Sequence, residues 1–305
     1  MRTSLALTLS AGLLLSLAAC SSAPAAPDCS AAAAPGGSSS LVSTTGDLGS
    51  DPQATFPSPL VPSSVERSVL LGGDSDGTEV GLGSTVNVSY TVYDGETGAP
   101  VGAPQGGLIV AGESLPGGLL SGLLCSTAGE RVAIALPNEE ATQVVSGAPG
   151  SLVMVFDVLD VYPSAAAGTL QAPTSGLPGV VRTADGRPGL QVTGESPTEA
   201  KSATLIEGDG DDVVEGDSVL VQVLSVSYDA PTRAASSTWA DGTPQLWLMS
   251  DDAAQTSGSK QPAGITPYLV GQPVGSQVVV VLPAAAEGGA ATAYVVDILG
   301  VVPAA

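Results

Sequence analysis

The chain has 305 residues, and its formal net charge is −22 because 30 acidic residues outnumber 8 basic ones. This acidity argues against nucleic acids and anionic membrane headgroups as partners, since both are bound by basic surfaces. The sequence contains no histidine, which excludes serine–histidine and cysteine–histidine nucleophilic sites, histidine-ligated metals and imidazole acid–base catalysis.

Residues 1–19 have the features of a secretory signal peptide. Met1 and Arg2 precede an apolar run that is too short to span a membrane. The run ends in Leu17-Ala18-Ala19-Cys20, which resembles a bacterial lipobox. This resemblance implies cleavage before Cys20, diacylation of its thiol, and a lipid anchor at the extracytoplasmic face of the cell membrane. The alternative is an ordinary signal peptide in which Cys20 has no role.

Residues 20–44 are predicted to form a lipidated flexible tether. Ser, Ala, Pro and Gly dominate residues 21–40, and bulky apolar side chains are almost absent. Such a segment cannot bury enough surface to offset the entropy lost on ordering. No later segment is long and apolar enough to cross a bilayer, so we expect the lipid to be the membrane anchor.

Two cysteines remain once Cys20 is lipidated. These are Cys29 and Cys125. Because an even number of cysteines in an oxidising compartment is typical of disulfide pairing, we expect a disulfide between them that fixes the end of the tether to the first domain. In the entropic model such a bridge stabilises by on the order of 4 kcal/mol. The alternative is two free thiols.

The remainder of the chain is repetitive. Gly-Glu-Arg-Val-Ala-Ile-Ala-Leu-Pro at 129–137 returns as Gly-Ser-Gln-Val-Val-Val-Val-Leu-Pro at 275–283, and Val-Phe-Asp-Val-Leu at 155–159 returns as Val-Val-Asp-Ile-Leu at 295–299. Matches in the same order predict a duplicated domain, and each copy has a normal domain size. The boundaries drawn from these matches are 45–163 for the first domain, 164–176 for a linker and 177–305 for the second domain.

Each copy is predicted to be mainly strand. Residues 85–93 and 219–228 alternate with period two, and Gly-Asp pairs mark the turns. The buried strands predicted from runs of Val, Ile and Leu are 130–136, 151–161, 276–282 and 292–302.

One short helix is predicted in each copy. In the first copy its apolar face is formed by Leu115, Leu119, Leu120, Leu123 and Leu124. In the second copy Ile265, Tyr268 and Leu269 hold the same place. An antiparallel sheet with one short helix per copy is an α+β pattern.

The order of these motifs resembles an FKBP-type peptidyl-prolyl cis-trans isomerase. In the second copy, residues 208–222 contain a Gly-Asp-Gly turn followed by a strand. Residues 269–283 contain the Leu-Val-Gly end of the helix and a strand that ends in proline, and the last strand is at 295–299. The resemblance covers about 45–302 of the chain. It implies two tandem FKBP-like domains, each an antiparallel sheet wrapped around one short helix.

The family lowers the barrier to X–Pro rotation in an apolar, largely aromatic cleft. By motif position, the prolyl-pocket candidates in the first copy are Tyr90, Leu115 and Phe156. Gly118 stands where the family has a tryptophan, and Glu139-Glu140-Ala141 replaces a Tyr-Gly pair. The Phe-Asp-Ser-Ser segment expected between 94 and 110 is missing. The alternative for Tyr90 and Phe156 is ordinary core packing.

The second copy departs further from the family pattern. Val223, Ile265 and Val296 stand in place of aromatic residues, and Glu287-Gly288 replaces Tyr-Gly. Trp247 lies near this region, where it is either a core residue or the wall of a remodelled groove.

No metal or cofactor is expected. The acidic turns at 74–76 and 209–212 faintly resemble calcium loops, but the family's Gly-Asp-Gly hairpin explains them without a metal. The sequence also has neither a phosphate-binding glycine loop nor a dinucleotide-binding fingerprint.

The resemblance leads to two functional hypotheses. The first is a monomeric, FKBP-type isomerase-like surface lipoprotein that assists the folding of proline-containing exported polypeptides. Its own active sites are eroded, and the first domain is expected to retain more activity than the second. The second is a catalytically inactive, polypeptide-binding chaperone or envelope interaction module on the same scaffold.

Overall fold

The computed structural model describes residues 26–148, 150–250, 252, 260–285 and 289–303. Cys20, the predicted signal peptide and the Glu287-Gly288 pair lie outside the described residues. Within the described ranges, no helix is long and apolar enough to cross a membrane. For the description below, the first half is residues 26–162 and the second half is residues 163–303.

The first half forms a five-stranded antiparallel sheet. Its strands and helices are β1 (Ser43–Thr45), β2 (Gln53–Thr55), β3 (Glu66–Leu71), β4 (Thr85–Asp94), β5 (Gln105–Val110), α1 (Gly117–Leu123), β6 (Arg131–Leu136), α2 (Asn138–Val144) and β7 (Leu152–Tyr162). The sheet order is β3-β6-β7-β4-β5, and β1 and β2 pair separately.

The second half forms a larger antiparallel sheet. Its elements are β8 (Thr169–Leu170), β9 (Gly179–Arg182), β10 (Pro188–Gln191), β11 (Lys201–Glu207), β12 (Ser218–Ser227), β13 (Ala234–Ser237), α3 (Thr238–Asp241), β14 (Gln245–Leu248), β15 (Gln277–Leu282) and β16 (Thr292–Val301). The sheet order is β13-β12-β16-β15-β11-β8, with β14 also paired to β12, and β9 and β10 pair separately.

The two sheets share one strand order. β11, β15, β16 and β12 of the second half correspond in sequence and in sheet position to β3, β6, β7 and β4 of the first. Even an irregularity recurs, because an extra residue interrupts the register of β7 at Leu159 and of β16 at Leu299. The mostly antiparallel-sheet, α+β class predicted from the sequence is therefore confirmed. The domain boundaries at 45–163, 164–176 and 177–305 stay a prediction.

Helix α1 packs on the inner face of the first sheet. Leu119 and Leu123 are buried there with residues of β4, β6 and β7. Gly122 allows this close approach, because a Cβ at that position would clash with Ile134 Cδ1. In the second half the predicted helix is reduced to the 3-10 turn Thr266–Tyr268, with Ile265 and Leu269 buried at its ends.

The outer face of each sheet is covered by its own N-terminal hairpin. The β1–β2 region places Val42, Ala54 and Phe56 against the first sheet. The β9–β10 hairpin places Val180 and Leu190 against the second sheet. Each sheet is therefore covered on two faces, which buries its central strands almost completely.

The N-terminal arm, defined as residues 26–42, is packed on the first half. The Ala33 amide donates to the Ser121 carbonyl at 2.8 Å, and the Arg67 amide to the Ala34 carbonyl at 3.0 Å. A second anchor is Glu66, whose Oε2 accepts the Ser38 and Ser39 amides. The flexible tether predicted over 20–44 is therefore wrong for its described part.

The predicted disulfide is confirmed. Cys29 and Cys125 are bonded, with their Cα atoms 5.8 Å apart, and the bridge joins the N-terminal arm to the end of α1.

The segment predicted as a linker over 164–176 begins in close contact with the second half. Ala165 and Ala166 are 1% and 3% exposed. The Ala167 amide donates to the Gly275 carbonyl at 3.0 Å, and β8 pairs with β11. Upstream, Tyr162 packs on Leu220 and Leu299. Residues 162–170 therefore tie the two halves together through packed contacts.

Candidate functional site

The prolyl-pocket candidates lie in one apolar cluster of the first half. Tyr90 on β4 and Phe156 on β7 are directly opposite in register. Their rings stack with centroids 4.9 Å apart and planes inclined by 26°. Leu115, in the turn before α1, packs on the same cluster. Adjacent antiparallel strands bring cross-strand partners this close, so the sheet register explains the pairing of the two rings.

The two rings differ in accessibility. Tyr90 is partly exposed, and its hydroxyl donates to Oε1 of Gln105 on the edge strand β5 at 2.8 Å. Phe156 is 1% exposed. A bound prolyl ring could reach Tyr90 from solvent, whereas contact with Phe156 requires the cluster to open. Prolyl binding by Tyr90, Leu115 and Phe156 stays a prediction.

At Gly118, where the FKBP family has a tryptophan, side chains of the first half occupy the space next to the backbone. A Cβ on Gly118 would lie 3.0 Å from Leu136 Cδ2 and 3.0 Å from Glu140 Oε2. The Gly118 amide also donates to Glu140 Oε2 at 3.2 Å. Glu140 belongs to α2, an element that the sequence did not reveal, and the buried Ala141 packs α2 on the cluster. A large aromatic side chain has no room at residue 118 in this arrangement.

The corresponding cluster of the second half lacks the ring pair. Val223 and Val296 face each other in the register that Tyr90 and Phe156 occupy in the first half. Ile265 is completely buried beside them. Aliphatic side chains therefore fill the positions of the ring pair in the second cluster.

Trp247 belongs to that core. Its side chain is 2% exposed, and its Nε1 donates to Gln245 Oε1 at 2.9 Å. The core interpretation of Trp247 is confirmed.

A buried carboxylate lies on the opposite face of the first sheet. Asp157 accepts two hydrogen bonds from Arg131, Nε to Oδ1 at 2.5 Å and Nη2 to Oδ2 at 2.7 Å. Arg131 also donates to the carbonyls of Gly46 and Asp47, and the Gly49 amide donates to Asp157. The hydrogen bond to Asp157 raises the pKa of the Arg131 guanidinium. This ion pair fixes the loop between β1 and β2 to the sheet.

Among the residues that the structure describes, no arginine is bonded to the equivalent carboxylate of the second sheet. Asp297 is completely buried and accepts from Gln277 Nε2 at 2.6 Å and from the Ala166 amide at 2.8 Å. Arg182 of β9 donates to Gln277 Oε1 at 2.6 Å. Burial raises the pKa of Asp297 to about 7, and the two hydrogen bonds and the charge of Arg182 oppose the shift only in part.

Sequence reasoning used these aspartates only as repeat markers. Both copies have an aspartate within an otherwise apolar strand. This pattern could have predicted a buried polar contact, because a carboxylate in such a strand needs a partner.

Among the cavities formed by the described residues, two border the first half. The first, of about 550 Å³, is a cleft where Tyr162 and Pro163 meet Gly210, Gly275 and Gly300 of the second half. The second, of about 530 Å³, is an apolar groove between the N-terminal arm and α1 that Leu82, Leu120 and Leu124 line. Neither of these two cavities is lined by Tyr90, Leu115 or Phe156.

Comparison with known proteins gave matches among solved structures. No family model matches the chain, and no curated protein matches it. The chain is similar to the three FKBP domains of wheat FKBP73, at 15% identity and a TM-score of 0.32 over 78% of this chain and 95% of that one.

Two further similar structures are bacterial. FkpA from Escherichia coli is 23% identical with a TM-score of 0.28, over 33% of this chain and 49% of that one. A putative peptidyl-prolyl cis-trans isomerase, FKBP12 from Mycobacterium tuberculosis, is 21% identical with a TM-score of 0.27, over 33% of this chain and 86% of that one.

Proposed function

We propose that the chain is an FKBP-type folding factor for exported, proline-containing polypeptides, and that its first half alone retains prolyl-binding residues. The observation that carries the proposal is the stacked pair of Tyr90 and Phe156 with Leu115 in the same apolar cluster. These are the residues that the FKBP resemblance assigns to the pocket. Isomerisation needs a surface that desolvates and twists the prolyl amide, and needs no nucleophile or acid–base pair.

The rest of the proposal concerns organisation and location. We place the chain on the extracytoplasmic face of the cell membrane, held by a lipid on Cys20, as a monomer of two tandem FKBP-like domains. The confirmed disulfide is in keeping with an oxidising compartment. Mass spectrometry of the N-terminal peptide tests the anchor, since a diacylated Cys20 is expected in the parent chain and none in Cys20→Ala.

The activity test is magnetisation-exchange NMR on an Ala-Leu-Pro-Phe peptide. We expect slow catalysis that Tyr90→Ala reduces at least about tenfold, since about 1.4 kcal/mol of lost ring contact has that effect. Tyr90→Phe keeps the ring stack and removes only the hydrogen bond to Gln105, so it should retain most of the activity. Tyr228→Ala in the second half is the matched control. Rates equal to the uncatalysed reaction at high protein concentration would refute catalysis.

A second candidate is a polypeptide-binding module without catalysis. The burial of Phe156 and the filled space at Gly118 favour it, because a closed cluster has no cleft for a prolyl ring. Suppression of aggregation of an unfolded client, by a chain that leaves the prolyl exchange rate unchanged, would select this candidate over the isomerase.

A further inference from the structure

The Cys29–Cys125 disulfide lies beside a carboxylate. Cys29 Sγ is 3.9 Å from Glu79 Oε2. The two sulfurs and a Glu79 carboxylate oxygen all lie within 4.8 Å of one another. Cys29 and Glu79 are exposed, and Cys125 is partly exposed, so solutes can reach the group. Thiolate sulfur and carboxylate oxygen are both ligands that Zn²⁺ takes in proteins.

The backbone at Cys125 is held by hydrogen bonds as well as by the disulfide. Its amide donates to the Val80 carbonyl at 2.8 Å, and the Val80 amide donates to the Ser126 carbonyl at 2.8 Å. Val80 is completely buried and is the chain neighbour of Glu79. These two hydrogen bonds therefore hold Cys125 and Glu79 on adjacent backbone segments.

Cys29 is also held by other contacts. It begins the 3-10 turn Cys29–Ala31, which Asp28 caps by accepting the Ser30 amide. Just beyond the turn, the Ala33 amide donates to the Ser121 carbonyl of α1 at 2.8 Å. Because of these contacts, we expect both sulfurs to stay near Glu79 when the S–S bond opens.

We propose that the reduced chain binds a thiophilic divalent cation, represented by Zn²⁺, through Cys29 Sγ, Cys125 Sγ and a carboxylate oxygen of Glu79. A dithiol reductant supplies two electrons and two protons to the S–S bond, which opens to two thiols while the reductant closes to its own disulfide. Zn²⁺ then replaces the two thiol protons, which pass to solvent, and water completes the coordination.

This site has a structural consequence. In the oxidised chain the disulfide joins the N-terminal arm to α1, and in the reduced chain the cation takes over that connection. A ligand that binds the folded state alone stabilises it, so the cation restores part of the stability lost on reduction. The proposal is independent of prolyl isomerisation, and either can fail without the other.

The experiment uses the full chain with Cys20→Ala, which removes the third thiol. The chain is reduced with a phosphine, freed of reductant without oxygen, and titrated with Co²⁺ and then Zn²⁺. We expect a sulfur-to-cobalt charge-transfer absorption at one Co²⁺ per chain, its loss on displacement by Zn²⁺, and a rise in melting temperature with Zn²⁺. The oxidised chain should show neither effect.

Two matched variants test the carboxylate. Glu79→Gln should weaken Co²⁺ binding by at least about tenfold, because loss of a supporting contact at a metal site has an effect of that size. Asp76→Asn, an exposed acid on the same loop, should change it less than about twofold. Unchanged affinity in Glu79→Gln, equal binding by the oxidised chain, or unfolding on reduction that Zn²⁺ does not reverse would each overturn the proposal.

Discussion

Each of the two sheets buries an aspartate at the same position, but the partners that stabilise the buried carboxylate differ between the sheets. In the first half, Asp157 lies opposite Arg131 in register and is bonded to it directly. In the second half the pair is Asp297 and Gln277. The nearby arginine is Arg182, which lies on the β9–β10 hairpin. It donates to Gln277, and Gln277 in turn donates to the Asp297 carboxylate.

This difference shows what a duplicated scaffold keeps. Both aspartates connect a sheet to the segment that covers or precedes it, through the Gly49 amide in one half and the Ala166 amide in the other. The connection is retained while the charge balance changes. Burial raises the pKa of Asp297, and the amide donors bonded to its carboxylate oppose that shift only in part.

The largest effect is expected from Arg131→Gln, which gives the first half the residue of the second. Asp157 would then be a buried charge without a bonded cation, and loss of one partner of a buried ion pair costs about 3–5 kcal/mol. Amide hydrogen exchange by mass spectrometry should show β7 losing protection while β16 stays unchanged.

The control for that experiment is Arg67→Gln. Arg67 pairs with Glu130 in the same sheet at 2.7 Å, but both side chains are 13% exposed, so a smaller loss is expected. A loss below about 1 kcal/mol for Arg131→Gln would mean that the two halves compensate their aspartates equally well.

A pH effect of intermediate size is expected in the second half. Because the folded-state pKa of Asp297 is raised from 3.8 to about 7, the folded state binds more protons than the unfolded state between those values. The free energy of unfolding should therefore fall as pH rises through this range. The penalty is absent below about pH 4 and complete above about pH 7, up to about 4 kcal/mol.

Denaturation followed by tryptophan fluorescence can measure this, since both tryptophans, Trp239 and Trp247, are in the second half. Asp297→Asn has no titrating group at this position, so the difference in stability between parent and variant should change across pH 4–7. A difference independent of pH would show that Asp297 ionises with an ordinary pKa.

The sequence predicts the sheets well because their signals are local. Alternation over residues 85–93 and 219–228 matches β4 and β12 within a residue or two, and the valine-rich runs match β6, β7, β15 and β16. The repeat also leads to the identical strand order, since equal patterns with equal connections fold alike.

The site and the N-terminal arm are less predictable because they depend on distant contacts. Residues 26–40 lack bulky apolar side chains, yet their backbone amides bond to Ser121 and Glu66, which composition cannot reveal. The sequence predicts Tyr90 and Phe156 as pocket candidates, but it does not predict the burial of Phe156 or the contribution of α2. The loss of the second helix follows from Ile265 and Leu269 packing around a single 3-10 turn.

The smallest effect is expected from Arg182→Gln, which removes the distant cation of the second half. Arg182 is partly exposed, so the loss of its hydrogen bond to Gln277 should cost about 1 kcal/mol. Its charge lowers the pKa of Asp297, so the carboxyl titration followed by NMR should move to higher pH in the variant. Arg187→Gln, an exposed arginine of the same hairpin, should leave that titration unchanged. A shift to lower pH in Arg182→Gln would mean that the hairpin opens and water reaches Asp297, so that Arg182 acts by covering the carboxylate rather than by its charge.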